Sequence, residues 1–147
     1  MSIKTISLAD EAQLSSIATT AKLTPYGKHT STEMRVRIIE LKSDRLLLPI
    51  VLHKDVGLAN DGTLVTLSVA VDPSMYRHEL VCESSGIRAG RNARTQENLF
   101  RHSGYRVFAE PSDGREPPGM RYQIDWKRGG PNALLKLLKN LQVPMTN

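Results

Sequence analysis

Short runs of alternating apolar and polar residues follow one another through most of this chain. The clearest run covers residues 120–126, where Met120, Tyr122, Ile124 and Trp126 alternate with three polar residues. A second run covers Val65–Val71. Because successive side chains of a β-strand point to opposite sides of the sheet, a period of two predicts a strand with one buried face.

Four other segments are predicted to be strands, which brings the total to about six. They cover residues 33–38, 45–54, 76–83 and 105–110. Pro49 interrupts the second of them and predicts an edge position or a bulge, because proline cannot donate a hydrogen bond to a neighbouring strand. Turn residues separate the strands, among them Asp61-Gly62, a pair that is typical of hairpins.

Both ends of the chain show the helical period instead. The spacing predicts an N-terminal helix over Ser7–Lys22, with Ser7 as its cap, and a strand over Lys4–Leu8 is the alternative. The apolar face of that helix consists of Leu14, Ile17, Ala18 and Ala21. A last helix is predicted to begin near Pro131 and to end before Pro144. Its apolar face consists of Leu134, Leu137, Leu138 and Leu141. A third, short helix is predicted from Asn92 or Thr95 to His102.

Strands that come in succession, without long helices between them, indicate an α+β fold. We therefore expect an antiparallel sheet of about six strands, a C-terminal amphipathic helix and one or two further short helices. At 147 residues the chain is expected to form a single domain over residues 1–147. Residues 1–28 could form an N-terminal helical arm, and residues 111–119 are expected to form a mobile hairpin tip.

Composition places the chain among ordinary globular proteins, with 39% hydrophobic and 24% charged residues. Cys82 is the only cysteine, which excludes an intramolecular disulfide and favours a reducing compartment. We expect its thiol to be buried and inert. No apolar run approaches the ~18 residues of a membrane span, so no membrane partner is expected. The expected location is the cytoplasm, or a virus or phage particle assembled there.

The segment between Gly86 and Arg106 is rich in arginine, contains no lysine and has a single acid, Glu97. Its arginines are Arg88, Arg91, Arg94, Arg101 and Arg106. Lys127 and Arg128 would extend the set if the strands that carry them lie nearby. Because a guanidinium pairs with phosphate or carboxylate through two parallel hydrogen bonds, the bias towards arginine indicates an anionic partner. The net charge of +5 agrees with a polyanion as that partner.

Two alternatives remain for these arginines. They could pair with acids of their own chain, namely Glu79, Glu83, Glu97 and Glu110, or with the acids of a protein partner. If the partner is nucleic acid, the aromatic side chains of Tyr105, Phe108 and Tyr122 are candidates for stacking on bases.

Residues that could support catalysis do not form a specific motif. Glu40-x-Lys42 matches the end of a metal-dependent nuclease site, but such a site also needs an upstream acid on a neighbouring strand. The four histidines and Cys82 lack the spacing of a metal site, and no glycine-rich phosphate loop is present. We therefore expect no cofactor, no metal and, on balance, no enzymatic activity.

These observations favour a non-enzymatic protein that binds RNA or DNA through the seven basic residues of the arginine-rich segment and its extension. A self-assembling structural subunit, such as a viral or phage coat, nucleocapsid or particle component, is the first alternative. Its homo-oligomer would form through a sheet edge or through Leu134, Leu138 and Leu141. A small metal-dependent nuclease that uses Glu40 and Lys42 is the second alternative.

Overall fold

A computed structural model describes residues 5–26, 38–108 and 113–142 of the chain. These residues form two α-helices, α1 (Leu8–Thr20) and α2 (Gly130–Leu141). They also form seven strands: β1 (Thr24–Tyr26), β2 (Ile38–Lys42), β3 (Ile50–His53), β4 (Thr66–Val71), β5 (Ile87–Ala89), β6 (Phe100–Arg101) and β7 (Pro118–Asp125). Short 3-10 helices cover Pro73–Met75, His78–Leu80, Glu83–Ser85 and Ser103–Val107.

The strands form an antiparallel sheet in the order β1-β2-β3-β4-β7-β5, and β6 pairs with the first residues of β7. The long strand β7 is therefore flanked by β4 along one side and by β5 and β6 along the other. The α+β fold with an antiparallel sheet, a C-terminal helix and a further helix is confirmed.

Both predicted terminal helices are confirmed. The side chain of Ser7 caps α1 by accepting a hydrogen bond from the backbone amide of Asp10 (3.1 Å), which compensates an amide that the first turn leaves unpaired. Leu14 and Ala18 of α1 are fully buried, in the same cluster as the leucines of α2. The two helices therefore belong to one hydrophobic core with one face of the sheet.

The other face of the sheet carries a smaller apolar cluster. Val51 of β3 lies opposite Ala70 of β4, and both pack against Tyr105 and Phe108. In the next pair along the sheet, Ala70 lies opposite Arg121 of β7. Residues that face each other across antiparallel strands point to the same side. Arg121 therefore lies on the same face as this cluster.

The strand predicted over residues 76–83 is wrong. The backbone amide of Arg77 donates to the side-chain oxygen of Tyr122 (2.7 Å), and the Tyr122 hydroxyl donates to the backbone carbonyl of Arg77 (3.1 Å). A buried side chain thus satisfies backbone groups that a strand would offer to a neighbouring strand. The segment continues as two 3-10 helices, His78–Leu80 and Glu83–Ser85.

The strand predicted over residues 105–110 is also wrong in its described part. Residues Ser103–Val107 form a 3-10 helix, in which the amide of Tyr105 donates to the carbonyl of His102 (3.0 Å). The ring of His102 caps this helix by accepting from the amide of Gly104 (2.9 Å). Local hydrogen bonds therefore replace the strand pairing that the apolar pattern suggested.

The helix predicted between Asn92 and His102 is wrong for a similar reason. The side chain of Asn92 accepts from the amide of Arg94 (2.9 Å), and Thr95 accepts from the amide of Glu97 (3.2 Å). Gln96 adopts a left-handed conformation, with φ at 65°. Asn and Thr side chains compete with helical hydrogen bonds in this way. The segment is a loop that ends in strand β6.

Proline placement explains two further differences. Pro49 precedes β3, so the predicted strand over residues 45–54 shortens to Ile50–His53 and lies inside the sheet instead of at its edge. Residues Thr24–Tyr26, which follow α1, form strand β1 at the end of the sheet order. An edge strand tolerates Pro25 because one side of it needs no donor.

Several predictions fall outside the described residues. These are most of the strand over residues 33–38, the last part of the N-terminal arm, and residues 111 and 112 of the hairpin tip. Within the described residues, Pro118 and Gly119 of that tip belong to β7. No helix in this part of the chain is long and apolar enough to cross a membrane.

Candidate functional site

Four of the predicted arginines lie along one edge of the sheet, which we call the arginine edge: Arg88, Arg91, Arg94 and Arg101. Arg88 is on β5 and Arg101 is on β6, and both strands pair with the same side of β7. Arg91 and Arg94 are in the loop over residues 90–99 that connects them. The edge is therefore one continuous stretch of chain held against β7.

Two residues hold the loop in place. The backbone amide of Gly90 donates to the carbonyl of Arg121 (2.8 Å). The side-chain amide of Asn98 donates to the same carbonyl (3.0 Å) and accepts from the backbone amide of Arg121 (2.9 Å). A Cβ atom on Gly90 would lie only 2.8 Å from the Cβ atom of Arg121. The loop thus leaves and rejoins the sheet at fixed points, and glycine is required at the first.

All four side chains of the arginine edge are exposed. The ion pairs found among the described residues are Lys54–Glu11, Arg77–Glu79 and Arg115–Asp113. None of these ion pairs includes an arginine of the edge. Arg101 makes a hydrogen bond through Nη1 to the backbone carbonyl of Glu116 (2.9 Å). Among the described residues, therefore, no ion pair neutralises the charge of these four arginines.

Arg94 and Arg101 share a groove of about 500 Å³. The other residues that line it are Asn92, Thr95, Glu97, Leu99 and Glu116. The two acids make this groove mixed in charge, so it is a less suitable phosphate site than the open surface around Arg88 and Arg91.

The three remaining predicted residues lie outside β5, β6 and the loop between them, although Lys127 and Arg128 follow the end of β7 that pairs with β5. Arg106 is exposed on the 3-10 helix Ser103–Val107. Lys127 and Arg128 follow β7, where the Asp125 carboxylate accepts from their backbone amides (3.1 and 3.2 Å). Arg101 pairs with Pro118 at the opposite end of this strand, which at a rise of about 3.4 Å per residue is roughly 24 Å away. The seven residues therefore do not form one cluster.

The predicted stacking platforms are not accessible. The side chains of Tyr105 and Tyr122 are fully buried, and Phe108 is only 6% exposed. Tyr105 stacks on Phe108 with the ring centroids 5.2 Å apart. These rings therefore stabilise the cores on the two faces of the sheet and cannot stack on bases.

The structure adds Arg121 to the site. Its Nε atom donates to the Tyr105 hydroxyl (2.8 Å), and its guanidinium lies 4.0 Å from the centre of the Phe100 ring. The Tyr105 oxygen in turn lies 2.7 Å from Nε2 of His53. The alternation of residues 120–126 places Arg121 on the polar face of β7, and that was the available signal. Its partners come from other segments, so sequence spacing could not reveal them.

Two histidines that are far apart in sequence meet beside Arg121. The rings of His53 and His102 lie 5.1 Å apart between centroids, edge to face. Burial lowers the pKa of His53 well below its usual value, and the positive charge of Arg121 and the neighbouring His102 lower that pKa further. His53 is therefore neutral at pH 7. Its neutral ring can accept a hydrogen bond from the Tyr105 hydroxyl at Nε2.

Cys82 is half-buried, which contradicts the expectation of a buried thiol. Its Sγ atom lies 3.4 Å from the hydroxyl oxygen of Ser84 and 3.2 Å from that of Ser85. Hydrogen bonds to these two hydroxyls are the main reason that the Cys82 pKa falls to about 7, with a smaller contribution from Lys136.

The leucines of the last helix are committed to the chain's own core. Leu134, Leu137 and Leu138 are at most 1% exposed, and Leu141 is 4% exposed. They face α1 and the sheet within the main hydrophobic cluster. An oligomer contact through Leu134, Leu138 and Leu141 would require this core to open.

The nuclease alternative gains no metal site. Glu40 and Lys42 lie on the same side of β2, since they are two residues apart in a strand. Within the described residues, however, no group of three or more His, Cys, Asp or Glu side chains could hold a metal ion.

Comparisons with protein-family models, with curated proteins and with solved structures found no match to this chain. Evidence about its function therefore comes from its own residues, and the strongest is the unneutralised charge of the arginine edge.

Proposed function

We propose that this protein binds nucleic acid without catalysing a reaction, through contacts between the arginine edge and backbone phosphates. One observation carries the proposal: Arg88, Arg91, Arg94 and Arg101 are exposed along one edge of the sheet, and no ion pair of the described residues includes them. An always-charged, planar guanidinium suits bidentate contacts with a phosphate.

The support for the loop strengthens this proposal. Gly90 and Asn98 tie the loop to the backbone of Arg121 by three hydrogen bonds of 2.8 to 3.0 Å. A loop that is already fixed loses less conformational entropy when it binds a ligand. Arg91 and Arg94 can therefore contact a ligand with little further loss of conformational entropy in the loop.

Arg106, Lys127 and Arg128 have a different part in this proposal. Lys127 and Arg128 follow the end of β7 that pairs with β5, and Arg106 lies on the 3-10 helix Ser103–Val107. They would contact a longer nucleic acid or act through the overall field of the protein. That field attracts polyanions at low ionic strength and is screened within a Debye length of about 8–10 Å near physiological salt.

Salt dependence tests the proposal directly. The affinity for a fluorescently labelled single-stranded oligonucleotide, measured by anisotropy, should fall linearly on a log–log plot between about 50 and 200 mM salt, because bound phosphates release counterions. In Arg91→Ala the slope should decrease by about one, and the free energy of unfolding should change by no more than ~1 kcal/mol.

Lys139→Ala is the matched control, because it removes one exposed charge from α2, on the opposite face of the sheet. Its salt slope should equal that of the unmodified protein. An affinity that does not vary with salt, or an equal effect of the two variants, would contradict the proposal. Light scattering on the same samples reports whether binding accompanies assembly, and intact oligonucleotide after incubation with magnesium excludes the nuclease alternative.

A further inference from the structure

We propose that the guanidinium of Arg121 forms a preorganised oxyanion site on the same sheet face as Arg88, and that it binds a backbone phosphate. This inference rests on the proposed function in its choice of ligand, a phosphodiester. It adds a binding residue that the arginine-rich segment does not contain.

The first support is a charge without a partner. Arg121 is half-buried, and none of the ion pairs among the described residues includes it. Its side-chain hydrogen bond among the described residues uses only Nε, which leaves Nη1 and Nη2 available as donors. A partly buried cation is costly when nothing compensates its charge. A bound oxyanion would supply that compensation through both nitrogens.

The two polar side chains that hold Arg121 in place carry no charge. His53 is held neutral by burial, and the Tyr105 hydroxyl stays protonated because burial raises its pKa. Asp55 is close enough to Tyr105 to raise that pKa further, although the ion pairs found among the described residues do not join it to Arg121. The Tyr105–His53 pair that holds Arg121 therefore carries no negative charge.

The second support is the fixed orientation of the guanidinium. The Phe100 ring packs against its plane at 4.0 Å, and the buried Tyr105 hydroxyl holds Nε at 2.8 Å. Tyr105 is itself held by His53 at 2.7 Å. Two aromatic side chains, one from β6 and one from the 3-10 helix that follows it, thus restrict rotation of the Arg121 side chain. Such support lets an arginine bind with little loss of side-chain entropy.

The third support is the position of Arg88. Arg88 of β5 lies opposite Gln123 of β7 and therefore points to the same side of the sheet as Gln123. Arg121 precedes Gln123 by two residues in the same strand, so its side chain points to that side as well. Such diagonal neighbours have Cα atoms about 7–8 Å apart, within reach of long side chains. Arg88 is exposed and Arg121 is held in place, so the two side chains can bind the same phosphate or two successive phosphates of a nucleic-acid backbone.

Substitutions that keep the charge provide the test. Arg121→Lys retains the positive charge but loses the planar pair of Nη donors. Tyr105→Phe retains the arginine and the ring packing but releases Nε. With the labelled oligonucleotide, Arg121→Lys should lose about tenfold in affinity and Tyr105→Phe about threefold, both with an unchanged salt slope. Arg91→Ala, in contrast, should lower the slope.

A structural role for Arg121 would give a different result. In that case Arg121→Lys would lower the melting temperature, while the folded fraction, measured well below the melting temperature, would bind as tightly as the unmodified protein. That outcome would overturn the inference. If Arg121→Lys does not fold, the affinity of Tyr105→Phe for the oligonucleotide tests the inference. This variant removes only the hydroxyl oxygen that holds Arg121 and leaves the buried ring in place.

Inorganic phosphate separates this inference from the proposed function. Titration of the unmodified protein with phosphate should shift the side-chain Hε–Nε NMR signal of Arg121. If phosphate shifts this signal but the oligonucleotide does not bind, the oxyanion site stands and the nucleic-acid function fails. The opposite result is that the oligonucleotide binds equally well to the unmodified protein and to both variants, and that phosphate leaves the Arg121 NMR signal unchanged. In that case the proposed function stands and the inference about Arg121 fails.

Discussion

At the scale of single residues, the Cys82 thiol is poised to ionise near neutral pH. Its pKa of about 7 compares with about 8.5 for an ordinary cysteine. The rate of alkylation by iodoacetamide should therefore rise with a midpoint near pH 7, since the thiolate is the nucleophile. In Ser85→Ala the midpoint should move upward, because one hydroxyl no longer stabilises the thiolate. Glutathione alkylated in parallel is the control, and a midpoint equal to that of glutathione would contradict the prediction.

At the scale of structural elements, the loop of the arginine edge depends on its attachment to β7. Gly90→Ala should destabilise the protein by about 1–3 kcal/mol, because the added Cβ would overlap with Arg121. Its Cβ would lie 2.8 Å from the Arg121 Cβ and 3.0 Å from the Arg121 carbonyl oxygen. Urea denaturation measures the change.

Arg91→Ala, one residue further along the same loop, is the control for this prediction. Its exposed side chain should contribute within about 0.5 kcal/mol. Equal stability of the Gly90→Ala and unmodified proteins would show that the loop can move away from β7, and would remove the argument that it is fixed.

The elements that sequence predicted correctly are those whose own residues dictate them. Ser7 caps α1, the leucine stripe of α2 has a single apolar side, and β7 has an uninterrupted period of two. The incorrect elements have apolar patterns as well, but side chains from other segments or from the same turn bind their backbone groups. Tyr122 does so at Arg77, and Asn92 does so at Arg94.

At the scale of the whole molecule, the neutral His53 makes stability depend on pH. The unfolded chain binds a proton at this histidine below about pH 6.5, whereas in the folded protein its pKa lies well below that value. The unfolded state therefore gains protons first as pH falls, and the free energy of unfolding decreases. Between pH 6.5 and 5.5 the loss from this group should be at most about 1 kcal/mol.

Urea denaturation at several pH values compares the unmodified protein with His53→Gln. The variant should have lower stability at pH 7.5, because it loses the contact with Tyr105, but it should lose less stability on acidification. The carboxyl groups whose pKa is lowered, Glu79 and Asp113, titrate below this range. A parallel decrease in both proteins would assign the pH dependence to other groups.

Sequence alone determined the fold class, the two terminal helices, strand β7 and the existence of an arginine-rich segment, because each of these depends on the order of neighbouring residues. Only the tertiary structure decided which basic residues lie together. The pairing of β5 and β6 with one side of β7 gathers Arg88, Arg91, Arg94 and Arg101, and the length of β7 separates Lys127 and Arg128 from Arg101.

The support for Arg121 was equally beyond the reach of local pattern. His53 belongs to β3, whereas Phe100 and Tyr105 belong to one later stretch of chain, and each has an ordinary neighbourhood in sequence. Their contacts arise because the chain from Phe100 to Phe108 covers the second face of the sheet, where β3 and β7 present His53 and Arg121. Packing between distant segments, and not residue spacing, sets the distances and the low exposure on which the chemistry of this site depends.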